Sequence, residues 1–146
     1  MASTITNATL AVTITEAVTL NGKSYGNINN LSVANVNEVD ERIMTIPTSE
    51  VNILEYGAAV AAGTFIGTNV KYLRITNKDD TNFISLKIAN GGSDHVFFKL
   101  EAGKSFMLHN NLIEAASPFS AWADITAISA IADTAAVDIE YFIALT

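Results

Sequence analysis

Alternation of apolar and polar side chains is the feature that most restricts what this chain can fold into. The closing segment "VDIEYFIALT" places Val137, Ile139, Tyr141, Ile143 and Leu145 at every second position. Successive side chains of a strand point to opposite faces, so the pattern describes a strand with one buried face. Little of the chain sustains a helical period. In "ADITAISAIADT" Ile125, Ile128 and Ile131 recur every three residues, which suits a helical turn or a small-residue strand. The β-rich surroundings favour the strand.

The same period recurs from the N-terminal end. Leu10, Val12 and Ile14 alternate with threonines, and Val18 and Leu20 resume the pattern before "NG" at Asn21 and Gly22, a tight-turn signal. This strand is expected to break at Glu16 and Ala17. Over 28–39 the phase shifts at Val36 and Val39, as a bulged strand requires. "RIMTIP" and "EVNILEY" are two further strands separated by Pro47, which cannot donate to a ladder. "GAAVAAG" reads as flexible or as one helical turn. Residues 1–9, "MASTITNAT", read as an arm that is loose alone and orders on a neighbour, leaving 10–146 as one domain.

Two hairpins are expected in the middle. In "NVKYLRITNKDDTNFISLKI" a turn centred on Asp79 and Asp80 sets Leu73 opposite Leu86 and Ile75 opposite Ile84. One face is then dry and the other carries Tyr72, Arg74 and Thr76. Downstream, "HVFFKL" and "SFMLH" flank "EAGK". A turn at Ala102 and Gly103 puts Val96, Phe98, Leu100 and Met107 on one face, and Phe97, Phe106 and Leu108 on the other. A pair that is apolar on both faces lies between two layers or under a neighbouring subunit.

Short strands and frequent turns in 146 residues predict an all-β protein: an antiparallel β-sandwich of seven to nine strands, with jelly-roll connections as one option. The surface is then short of charge. Only 16% of residues are charged, against roughly 25% in an ordinary soluble domain, while 49% are hydrophobic. A small domain has much surface to cover, so part of it is expected to be hidden in a partner. Eight basic residues against fifteen acidic ones give a net charge of -7, which disfavours nucleic acid and anionic membranes. The N-terminal segment has no basic flank and no continuous apolar run, so no secretory signal is expected, and "YGAAVAAGTFIG" is too short to span a bilayer. Cysteine is absent, which removes disulfides and thiol chemistry.

No catalytic, cofactor or metal site is expected. His95 and His109 fall on opposite faces of the second hairpin, where they cannot share an ion unless a one-residue bulge reverses one of them; a hydrogen-bonded strand histidine is the commoner role. Asp79, Asp80 and Asp94 lack the spacing of a calcium loop, and "NKDDTN" reads as turn chemistry. Glu38, Asp40 and Glu41 could serve as paired carboxylates, but nothing places them in a cleft. Ser24 and Ser49 lack a nucleophile-elbow context, and "GNINN" and "NGGSD" read as turns. Phe119 and Trp122, in "SPFSAWAD", are candidates for stacking on a sugar or anchoring a protein contact, although plugging one end of the sandwich is the commoner role.

The combination of "IGTNVKYLRITNKDDTNFISLKI", the Phe-rich middle segment and the closing "VDIEYFIALT" resembles the small β-sandwich proteins that decorate tailed-bacteriophage particles. The likeness covers roughly the last eighty residues, within single-domain size, and carries no diagnostic residue. It implies a virion accessory role at the capsid surface: a decoration, cement or fibre protein, often trimeric, that binds the major capsid protein without enzymatic activity. The expected partners are therefore copies of the chain itself, as a homotrimer or other symmetric oligomer, and the capsid shell. The candidate interface is Phe97, Phe106 and Leu108, with Phe119 and Trp122. The rival expectations are a carbohydrate- or receptor-binding module using Trp122, Phe119 or Tyr56, and, last, a hydrolase using Glu38 or Asp40.

Overall fold

The computed structural model describes residues 4–109 and 125–146, so Phe119 and Trp122 lie outside the described residues. The chain runs through β1 (Ala8–Thr15), β2 (Val18–Leu20), β3 (Lys23–Tyr25), β4 (Ile28–Val36), β5 (Glu38–Ile46), β6 (Val51–Gly57) and β7 (Thr64–Ile66). It continues through β8 (Val70–Asn77), β9 (Ile84–Ala89), β10 (His95–Leu100), β11 (Ser105–His109), β12 (Ala127–Ala132) and β13 (Val137–Leu145). Thirteen strands among the described residues exceed the seven to nine expected. Three short strands make up most of the excess: the first expected strand divides into β1 and β2, β3 pairs back on β2, and β7 follows the Gly/Ala segment.

Nine strands build the body. A five-stranded sheet in the order β10-β9-β12-β6-β7 packs on a four-stranded sheet in the order β11-β8-β13-β5. Pairing is antiparallel except between β6 and β7. The alternation explains the layers: Leu73 and Ile75 of β8 and Ile139, Ile143 and Leu145 of β13 point inward, as do Ile84 and Leu86 of β9, Leu54 of β6 and Ile128 of β12, all fully or almost fully buried. Each such side chain contributes about 1.5–3 kcal/mol relative to staying in water.

Both middle hairpins are absent as such. β8 pairs with β11 and β13, and β9 pairs with β10 and β12. The turns at 78–83 and 101–104 therefore cross from one sheet to the other. Leu73 and Ile75 still share the dry side with Leu86 and Ile84, but across the core instead of along a ladder.

Asn77 sits where the two crossings meet. Its side chain is fully buried. Its Nδ2 donates to the carbonyls of Asn82 and Leu100, at 2.9 and 3.1 Å, and its Oδ1 accepts from the Asp79 amide at 2.9 Å. Its own amide donates to the Lys104 carbonyl at 2.9 Å. Asp79 Oδ1 then caps the first crossing by accepting from the amides of Thr81 and Asn82. Those backbone bonds hold the Asp79 carboxyl below its usual range.

Strands β1 to β4 stand outside the sandwich as a ribbon. β1 pairs with β4 and β2 with β3. Positive φ at Asn21 and Gly22 makes the tip a turn of the primed kind, whose twist matches its strands. Regular pairing is interrupted at Glu16 and Ala17, between β1 and β2, where the Glu16 amide donates to the Asn27 carbonyl at 2.9 Å. A Cβ at Gly26, where φ is +115°, would lie 2.0 Å from the Glu16 carbonyl oxygen, so this junction requires glycine. Asn35, at φ 61°, accompanies the expected bulge near the base.

Candidate interaction surface

The outer face of the four-stranded sheet is built in rows across the strands. Val39, Ala144, Tyr72 and His109 form one row; Glu41, Phe142, Arg74 and Met107 the next; Ile43, Glu140, Thr76 and Ser105 a third. The base of the ribbon covers part of the first two. Val33 and Val36 are buried there with Tyr72 and Ala144, and Leu10, Val12, Met107 and Phe142 pack around them. Tyr72 meets Phe142 edge to face at 5.9 Å.

Beyond that footing the face turns polar. Arg74 pairs with Glu140 at 2.6 Å, with both side chains about three-quarters shielded from water, and Lys78 approaches Glu140 at 3.8 Å. The Arg74 hydrogen bond holds the Glu140 carboxyl below its ordinary value of 4.5. A carboxyl depressed in the fold stabilises above its unfolded pKa and loses that contribution as pH falls through the folded value. Replacing Glu140→Gln is therefore expected to lower the melting temperature at neutral pH and to flatten its fall between about pH 5 and 3. An unchanged slope in differential scanning calorimetry would remove the ion pair from the acid response.

The distal ribbon has no such footing. Every residue from 15 to 30 is exposed, including Val18 at 58%, Leu20 at 61%, Tyr25 and Ile28. Val18 lies opposite Tyr25 and Leu20 opposite Lys23, so these four share one face. Glu16 and Lys23 are the only charges from residue 4 to residue 36. The β5 column of the sheet is also bare: Val39 is 53% and Ile43 66% exposed, with exposed Glu41 between them. β5 is an edge strand whose outer side has no partner among the described residues.

The expected interface residues do not form one surface. Phe97 points outward from the five-stranded sheet and is 61% exposed, with His95 edge-on at 5.6 Å. Phe106 and Leu108 instead lie in the other sheet and pack on the core. Phe106 stands 5.1 Å from Phe98, closing the mouth between the edge strands β10 and β11. The reason is the crossing at 101–104, which turns the inward side of β11 to face that of β10. His95 and His109 are likewise placed in different sheets.

Other candidates are accounted for by the fold. Tyr56 is buried in the core, so its ring is no sugar platform. Asp40 accepts the Tyr141 hydroxyl at 2.6 Å; burial, then this carboxylate, push that phenol up to about 12. Glu50 accepts from Ser129 at 2.7 Å and Lys87 at 3.0 Å, and these bonds, Ser129 first, lower its pKa. A concavity of about 190 Å³ between β5 and β6, with Arg42, Met44, Asn52 and Glu55 in its wall, is smaller than the usual ligand pocket of about 300 Å³ or more. No described helix is long and apolar enough to cross a membrane.

The ribbon was legible as strands and a turn, but its detachment from the sandwich was not. The signal for it is the pairing of alternation with near neutrality: one acid and one base across residues 4–36. No family model, no curated protein and no solved structure matches the chain.

Proposed function

We propose that this chain is a structural, non-enzymatic virion protein, a capsid decoration or cement component that self-associates and binds the major capsid shell. The observation that carries the reading is the ribbon over residues 15–30, exposed at every position and nearly without charge. A two-stranded hairpin standing alone in water is marginal. One that keeps Val18, Leu20, Tyr25 and Ile28 exposed gains its stability from a surface it covers. Phe97, outward on the opposite sheet, supplies a second apolar contact, so that one face can serve neighbouring copies and the other the shell.

Multi-angle light scattering at micromolar concentration is expected to find a stable oligomer. The triple variant Val18→Asn, Leu20→Asn, Tyr25→Asn is expected to keep the melting transition of the sandwich and to lose self-association by at least tenfold in Kd, about 1.4 kcal/mol or more. A monomeric wild-type chain overturns the reading.

A further inference from the structure

We infer that the distal ribbon of one copy lies across the β5 column of a second copy, with Val18, Leu20 and Tyr25 over Val39 and Ile43 and Lys23 beside Glu41. The contact rests on the assembly reading above and names its partner surface.

Three observations select a second copy as the occupant. The first is continuity. The base of the ribbon already sits on the outer face of this sheet in its own chain, burying Val33 and Val36 against Tyr72 and Ala144. The distal half carries on the same mix of aliphatic, Thr and Asn side chains, and the same sheet face leaves its β5 column uncovered. The second is charge. The column reads apolar, acidic, apolar at Val39, Glu41 and Ile43, and the ribbon face reads apolar with one cation, Lys23. Neither Lys23 nor Glu41 has an ion-pair partner among the described residues. A pairing that brings the ribbon's one base to this acid fixes register as well as adding attraction.

The third is reach. From residue 15 to the tip the ribbon extends about 20 Å at the rise of a strand, and a symmetric assembly in which every chain gives and receives a ribbon doubles the surface that each chain buries.

The chain has no cysteine, so engineered thiols report the contact directly. A Leu20→Cys chain and an Ile43→Cys chain, distinguished by tag length, are mixed under mild oxidation. The mixed disulfide is expected as the main product, whereas Thr19→Cys, on the opposite ribbon face, is expected to link to Ile43→Cys at least tenfold less. In parallel, Lys23→Glu or Glu41→Lys alone is expected to raise the self-association Kd about tenfold, and the two together to restore it. Oligomers that form without the Leu20 to Ile43 link overturn this contact and leave self-association standing. A chain that is monomeric before any substitution overturns both.

Discussion

Replacing Asn77→Ala is expected to cost about 3 kcal/mol and to lower the melting temperature by about 10 °C. The side chain itself contributes little apolar surface; its value lies in what it satisfies. Three backbone groups depend on it: the carbonyls of Asn82 and Leu100 and the amide of Asp79. Removing one partner leaves a buried group without compensation, at about 1–3 kcal/mol each, and partial access of water at the first crossing keeps the total below the sum. The damage also spreads, because the three groups belong to both sheet crossings. β8 is in one sheet and Leu100 ends a strand of the other. Asn77→Asp does not rescue, since it removes the two donated bonds and sets a charge beside two carbonyl oxygens. Urea denaturation read by near-UV circular dichroism measures the effect, and a loss below about 0.5 kcal/mol would show that water replaces the amide.

Asn77 also marks where reading the sequence reached its limit. Alternation assigns each residue to a face, and it assigned Leu73, Ile75, Leu86 and Ile84 to the dry side, where they are. It does not identify the strand that shares the ladder. A hairpin and a crossing between sheets bury the same alternate positions; they differ in whether backbone donors point at the sequence neighbour or away from it. That choice is made by distant strands, β13 for β8 and β12 for β9, and by an asparagine side chain that ties both turns together. "NKDDTN" shows its turn chemistry openly, with Asp79 as the acceptor, but not which sheet the chain enters next.

The same limit applies to the interaction surface. Phe97, Phe106 and Leu108 share a face only in a register in which β10 and β11 pair, and they do not: β10 pairs with β9 and β11 with β8. Once the turn between them crosses the sandwich, Phe106 and Leu108 turn inward and Phe97 remains outside. The low charge of the chain was legible from composition, and it is concentrated where the ribbon is. Composition carries no position, however, and only the pairing of β1 with β4 and of β2 with β3 reveals that a charge-poor segment stands off the body.

Tyr56→Phe is expected to change stability in the opposite direction, raising it by about 1–2 kcal/mol and the melting temperature by about 3–6 °C. Like Asn77, Tyr56 is a buried residue with a polar tip, but its hydroxyl has no hydrogen-bond partner among the described residues. No described group offsets the loss of its hydration, so deleting one oxygen removes a penalty and preserves the ring packing. Burial also pushes the Tyr56 phenol well above its ordinary value of 10.0. A group whose pKa is raised by folding keeps its full contribution below the unfolded value and loses it as pH climbs above that value. The wild-type chain is therefore expected to weaken progressively above about pH 10, and Tyr56→Phe to remove that share of the alkaline slope. Thermal denaturation of both chains at neutral and alkaline pH reads the two effects together. A destabilised Tyr56→Phe chain would mean that the hydroxyl is bonded in solution, and the opposing signs at positions 56 and 77 would then no longer follow from satisfied against unsatisfied polar burial.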